Sequence, residues 1–358
     1  MGLPRPCMTF SYRIARLASA LILLLCLVGE VAPGQESIEP QREHTLLFVG
    51  DIMLSRGVGR RMVAENDFTY PFQLIHETLA AADLTFANLE CPVSDQGKEK
   101  GHRYSFRADP KALEGLLAAG IDVVSVANNH MYDWGPEALV DTVRRLREAG
   151  IRPVGAGAND LEAHYPQLVQ VGDLRLAFLT YVEIEPRYAT AAPGKPGVAW
   201  LDPERVLADI RFARPLADLV IVSPHWGVEY APKPNRVQVD FAHRIIDAGA
   251  DLLVGTHPHV VQPVEEYDGR WIAYSLGNFV FDQKAPGTNR GLMLKVRVAG
   301  KKIVEVAQIP ISISTECQAA LAPPAEEAPV EARAEVGRRK ALYRPVKGQA
   351  NGDRPTLP

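Results

Sequence analysis

The sequence predicts an α/β protein in which two sheets pack face to face with helices on the outside. Three observations carry this expectation. Over the first two-thirds of the body, short apolar runs alternate with helical patterns, the grammar of βαβ units. Over the last third, strands follow one another through short turns with little helix between them. Finally, five runs of β-formers end on polar side chains suited to a divalent cation. Parallel strands bring their carboxyl ends to one sheet edge, and ligands bind there.

In order, residues 46–49 lead into Asp51, and 84–87 lead into Asn88 and Glu90. Residues 123–127 run into Asn128, Asn129 and His130. The clearest helix follows at 136–149. Pro136 suits its first turn, Leu139, Val140, Val143 and Leu146 form one apolar face, and Gly150 stands just past its end. Ala-Gly helix stops precede strands three times: Ala119-Gly120 before 123–127, Ala149-Gly150 before 152–154, and Ala248-Gly249 before 252–254. Their uneven spacing rules out a true repeat. Residues 167–171 and 174–181 form a hairpin through Gly172-Asp173. Residues 185–199, with three Pro and two Gly, read as a long surface loop, of the kind that often serves as a lid or binding loop. Residues 219–223 lead into His225, and 252–254 into His257 and His259. Strands at 260–264, 270–275, 292–298 and 303–313 complete the body, turning at Asp268-Gly269 and Ala299-Gly300.

The chain has 358 residues, 47% hydrophobic and 23% charged, which suits a globular enzyme-sized body at 44–316. Arg5, Arg13 and Arg16 precede an apolar stretch at 17–28, with Ala32 and Gly34 ahead of Gln35. Residues 1–34 thus read as a signal peptide or an N-terminal anchor, and the protein is expected to be exported, periplasmic or extracellular. The apolar stretch is short of the roughly 20 residues of a membrane span. Three Arg against one Glu leave +2 in residues 1–34, so the chain's −4 becomes about −6 without them. No basic stripe interrupts the body, so nucleic acid is not an expected partner. Cys91 and Cys317 are the two cysteines outside the leader. They either pair as one disulfide or remain separate buried thiols. Residues 318–358 are rich in Ala, Pro, Glu and Arg and are expected to be a disordered tail.

Each polar tip has a plain structural reading. Asp51 after Gly50 fits a turn, His225 fits a satisfied core histidine, Trp226 and Tyr230 fit core packing, and Asn278 fits a turn asparagine. Asn88 and Glu90, two apart on an extended segment, face the same side. His257-Pro258-His259 places two imidazoles on one stretch. Together, the carboxylates, amides and imidazoles are the ligand set of a divalent metal, with Mn, Fe, Zn and Mg not distinguished. No Gly-x-x-x-x-Gly-Lys-Ser/Thr phosphate loop and no Gly-x-Ser-x-Gly elbow occurs.

The strings Phe48-Val49-Gly50-Asp51-Ile52-Met53, Ala87-Asn88-Leu89-Glu90, Ala127-Asn128-Asn129-His130, His225-Trp226-Gly227, Gly255-Thr256-His257-Pro258-His259 and Ser275-Leu276-Gly277-Asn278-Phe279 resemble the CapA family of capsule and poly-γ-glutamate synthesis. The resemblance spans roughly 44–315. It implies a four-layer α/β/β/α sandwich of the metallophosphoesterase-like kind, with a two-metal centre between the sheets. It also implies Asp51, Glu90, Asn129, His225, His257 and His259 as metal ligands and His130 as general acid. Asn88, Asn128, Trp226 and Asn278 are expected in support, with Asn88 a second candidate for the bridging carboxylate's place. Met53 departs from the pattern, which has a His there, so one or two ions are expected and the position near Asp51 is expected to be weak. The implied activity is metal-dependent hydrolysis. The alternative is a non-catalytic accessory protein that binds the polymer. Implied partners are an anionic polymer or a phosphorylated small molecule, and a membrane-bound polymer synthase.

Overall fold

The computed structural model of this chain describes residues 1–2, 42–101, 103–184 and 186–323. From Arg42 onward the described residues belong to one compact unit. The leader expected at 1–34, apart from its first two residues, lies outside them, and so does the tail beyond 323. Among the described residues, no helix is long and apolar enough to cross a membrane.

The strands in chain order are β1 (Glu43–Ile52), β2 (Leu84–Leu89), β3 (Val123–Ser125), β4 (Arg152–Val154), β5 (Ala156–Gly157), β6 (Gln167–Val171), β7 (Leu174–Val182) and β8 (Gly197–Val198). They continue with β9 (Leu219–His225), β10 (Leu252–Val254), β11 (Val264–Tyr267), β12 (Arg270–Ala273), β13 (Asn278–Val280), β14 (Arg290–Ala299), β15 (Lys302–Ile313) and β16 (Ala319–Leu321). One sheet has the order β16-β15-β14-β1-β2-β3-β4, with β13 also pairing β1. The other runs β11-β12-β10-β9-β7-β6. In the first, β1 to β4 are parallel and β14 to β16 are antiparallel. In the second, β7, β9, β10 and β12 are parallel.

Strand alternation builds the layers. Leu46, Phe48, Leu84, Phe86 and Val123 from one sheet bury against Phe178, Leu219, Ile221, Leu252 and Val254 from the other. Phe86 stacks on Phe178 with ring centroids 5.6 Å apart, which places the seam between the sheets. The intervening residues Leu47, Val49, Ala87 and Val124 face outward, into an apolar layer with Leu139, Val143 and Leu146 of the helix Gly135–Glu148. On the far side Val220, Val222 and Leu253 pack against Val206, Leu207 and Ile210 of Pro203–Ala213 and against Phe241, Ile245 and Ile246 of Arg236–Asp247. The result is the expected four-layer α/β/β/α sandwich.

Differences from expectation have local causes. The strand expected at 260–264 begins only at Val264, because the chain is still turning out of the His257–His259 segment. The loop expected at 185–199 holds a 3-10 turn, Arg187–Ala189, and the short strand β8, which pairs with β5. The order of the body does not stop at 316. β16 pairs with β15, burying Ala319, so the first part of the segment expected to be a disordered tail is sheet. The alternative of a disulfide is not realised: Cys91 and Cys317 are both buried free thiols. Cys91 Sγ accepts the Leu54 N–H at 3.4 Å, and burial pushes its thiol up to about 12, which makes it inert.

Candidate metal centre at the seam of the two sheets

The carboxyl ends of the parallel strands of both sheets meet at one place. On the first sheet Asp51 lies opposite Asn88 on one side and Asn278 on the other. On the second, His225 lies opposite Val182 and bridges to Thr256. Two glycines permit this close crossing. A Cβ on Gly50 would sit 1.8 Å from the Gly277 carbonyl oxygen, and one on Gly255 would sit 2.1 Å from that of Tyr274. The Asp51 N–H donates to the Gly277 carbonyl at 3.0 Å, fixing the carboxylate at the strand end.

The expected polar tips converge. Asp51, Glu90 and His259 hold ligand atoms within 4.8 Å of one another, all buried. His259 Nδ1 is 3.1 Å from Asp51 Oδ2, and its Nε2 is 3.5 Å from Glu90 Oε1. Asn278 Oδ1 meets His259 Nδ1 at 3.0 Å, while its amide donates to Gln283 and to the Thr288 carbonyl. Asn278 is thereby a positioning residue for His259. Asn129 Oδ1 meets His225 Nε2 at 2.9 Å, and Thr256 Oγ1 meets His225 Nδ1 at 3.0 Å. The His225 and His257 rings lie 4.8 Å apart, centroid to centroid.

Asn88 and Asn128 connect this cluster. Asn128 donates its amide to the Leu89 carbonyl at 2.8 Å and to Asn88 Oδ1 at 3.2 Å. Asn88 then turns its amino group toward Asp51 Oδ1 at 2.8 Å and toward Glu90 Oε2 and His225 Nδ1, each at 3.3 Å. In this orientation Asn88 offers donors to the cluster, and Glu90 offers the carboxylate.

His130 points away from Asn129. Its Nδ1 lies 2.8 Å from Asp133 Oδ2, and its ring stacks on Phe106 with centroids 3.9 Å apart. Asp133 also accepts the Phe106 N–H at 2.8 Å, so carboxylate, ring and stacking partner form one unit. Sequence reasoning missed Asp133. The only signal for it is its i,i+3 spacing from His130 within a turn that carries no periodicity.

Two expectations need correction. Trp226, expected in support, follows the core-packing alternative: it is buried in the outer apolar layer of the second sheet and donates its indole N–H to the Tyr274 carbonyl at 3.1 Å. Met53 belongs to the outer apolar layer of the first sheet, where its sulfur accepts the Ser55 N–H at 3.2 Å. Tyr230 does face the site, with its half-exposed ring 6.3 Å from that of His259.

The electrostatics fit a cation. Burial, and then the neighbouring Asp51, hold the Glu90 carboxyl well above the usual carboxylate range. Burial, then His259 and His130, push His257 down to about 3. His225 is likewise held well below the ordinary imidazole value, by burial first and then by His257, His259 and His130. The site thus disfavours a charged Glu90 carboxylate and charged His225 and His257 imidazoles, and a divalent ion bound there would stabilise the Glu90 carboxylate while using neutral imidazoles. Within this cluster, Glu90 Oε1 and His257 Nδ1 are buried polar atoms with no hydrogen-bond partner. An unpaired buried group of this kind costs about 1–3 kcal/mol unless something binds it. His257 and His259 are also held at φ +98° and +58°, and such strain collects at binding sites.

The fold and site together define a four-layer α/β sandwich with a buried carboxylate–imidazole cluster where its two sheets meet. Residues 45–283 match the family described as bacterial capsule synthesis protein PGA_cap, and the chain belongs to that family. It is 32% identical over 316 residues to the capsule biosynthesis protein CapA of Bacillus anthracis, covering 84% of this chain and 76% of that protein. It is 34% identical to a probable polyglutamine synthesis accessory protein of Mycobacterium tuberculosis, covering 80% of this chain and 81% of the relative. Similar solved structures include the calcineurin-like phosphoesterase YfkN from Bacillus subtilis, at 12% identity and a TM-score of 0.43, covering 76% of this chain and 91% of that one. A putative 5'-nucleotidase from Staphylococcus aureus is similar at 13% identity and a TM-score of 0.44, covering 82% and 58%.

Proposed function

We propose that this chain is an exported, metal-dependent hydrolase acting on phosphate esters in the synthesis of a capsule polymer such as poly-γ-glutamate. The observation that carries the reading is the buried Asp51–Glu90–His259 cluster, in which Glu90 Oε1 has no hydrogen-bond partner. Two carboxylates withdrawn from water beside each other need a compensating charge. Asp51, Glu90 and His259 would hold one cation, and His225, His257 and Asn129 offer donors for another. A cation held there would supply Lewis acidity toward a phosphoryl oxygen and would activate a water as nucleophile.

The chain's own residues supply the rest. Asp133 accepts from His130 Nδ1, which leaves Nε2 as the atom that carries a proton to a leaving oxygen. The Phe106 stack holds the ring plane. Asn278 orients His259, and Thr256 orients His225. Asp51 and Glu90 are fully buried at the floor of the site, away from bulk solvent. Export is supported by the basic and then apolar pattern of residues 1–34.

A second reading has its own support in the accessory role printed in the Mycobacterium relative's name. In it the cluster is structural, and the protein binds the anionic polymer beside its synthase. The two are separated by a phosphomonoester and phosphodiester screen of the full chain loaded with Mn²⁺ or Zn²⁺. The hydrolase reading expects turnover that Asp51→Asn lowers at least ~100-fold, the scale of a lost electrostatic contact to the transition state. Loaded protein that retains poly-γ-glutamate but hydrolyses no ester would establish the accessory reading instead.

A further inference from the structure

Beyond β9 the chain turns back over the site through Gly227, Val228, Glu229 and Tyr230. Gly227 and Tyr230 both adopt positive φ, +88° and +63°. The Tyr230 N–H donates to the Pro258 carbonyl at 2.8 Å, which clips this turn onto the segment that carries His257 and His259. The clip brings the Glu229 carboxylate to the imidazoles. One Glu229 oxygen and one ring nitrogen each of His257 and His259 lie within 4.8 Å of one another. His257 is only 4% exposed, and its Nδ1 has no hydrogen-bond partner.

The charge distribution gives this juxtaposition a role. Asp51 and Glu90 both lie on the first sheet's side of the cluster, beside His259. The donors on the second sheet's side, the imidazoles of His225 and His257, with Asn129 reaching across from the end of β3 to His225, include no carboxylate. A neutral imidazole gives its one free lone pair to a single ion, so His259 serves one position only. The other position would hold a dication on neutral donors alone. Glu229 is the carboxylate that reaches it, and residue 53 supplies no ligand.

We propose that Glu229 is a metal ligand that closes a second cation position with His257. This rests on the reading of the seam as a metal centre. The donor class, one carboxylate with imidazoles, suits Zn²⁺, Mn²⁺ or Fe²⁺. Glu229 is exposed, so this position lies at the solvent-facing mouth of the site, with Asp51 and Glu90 on its floor.

The test is calorimetric titration of the chelator-stripped full chain with Mn²⁺ alone, and separately with Zn²⁺ alone, without substrate. Wild type is expected to take up two ions per chain. Glu229→Gln should keep the tighter ion with little change and bind the other at least ~10-fold more weakly. Glu229→Asp should recover part of that loss, and unchanged melting of the stripped variants would show that the fold is intact. Two ions bound to Glu229→Gln with wild-type affinities would remove Glu229 from the centre and leave the metal reading standing. A wild type that takes up a single ion overturns the second position. A wild type that binds no cation overturns this proposal and the metal reading together.

Discussion

His130 and His257 approach the same cluster with different contacts, and the difference predicts different consequences of removing them. His130 is tied to Asp133 and Phe106 on the rim. His257 is buried against His225, and its backbone N–H lies 3.4 Å from Asp51 Oδ2. His130→Ala is therefore expected to retain metal and lose ~10²–10⁴-fold in turnover, the usual scale of general acid catalysis. His257→Ala should lose the cation position that His257 shares with His225. Should His130→Ala leave both metal content and turnover intact, its catalytic role is wrong and the accessory reading gains. The Asn128-Asn129-His130 run shows in the sequence because three functional side chains follow an apolar strand without a gap. Asp133 does not, because it lies on a turn where the chain has no pattern to read. The sequence also left Asn88 and Glu90 as alternatives. The difference between them is set by Asn128, which takes the Asn88 carbonyl and leaves only its amino group facing the cluster. The weak metal position expected from Met53 lacks its basis, because that side chain packs in the outer apolar layer.

At the scale of elements, the site depends on strands that cross with no room for side chains. β1 passes the turn before β13 at Gly50, where an added methyl would overlap the Gly277 carbonyl. Gly50→Ala is expected to destabilise the protein by about 3 kcal/mol, the upper end for overpacking, because the obstacle is backbone and cannot swing aside. Denaturant unfolding checks this, and a loss below ~1 kcal/mol would show that the two strands can separate at that point. The long strands were legible because alternation sorted their residues between two apolar layers: Leu46 and Phe48 inward, Leu47 and Val49 outward. β5, β8 and β16 were not. Such short strands give alternation too few positions to register, these three lack the Ala-Gly helix stop that marked 152–154 and 252–254, and Ala319–Leu321 lies in a composition that otherwise reads as unfolded.

At the scale of the molecule, the two sheets share an apolar seam that ends at the polar cluster. The two-sheet architecture was legible from βαβ phrases followed by hairpins. Which strand tips meet across the seam was not, since contacts such as Asn88 to His225 join residues 137 positions apart. Because the cluster draws side chains from both sheets, a cation bound there would hold the sheets together. The measurement that bears most directly on the metal centre is therefore metal content, paired with the melting temperature of the same sample, for wild type and for Asp51→Asn. Wild type is expected to carry at least one divalent cation per chain. Stripped protein given free cation at about 1,000 times its Kd should gain about 4 kcal/mol, roughly 10 °C in melting temperature. Asp51→Asn should gain little. Wild-type protein that stays metal-free under saturating Mn²⁺ and Zn²⁺, with no change in melting temperature, would contradict the account.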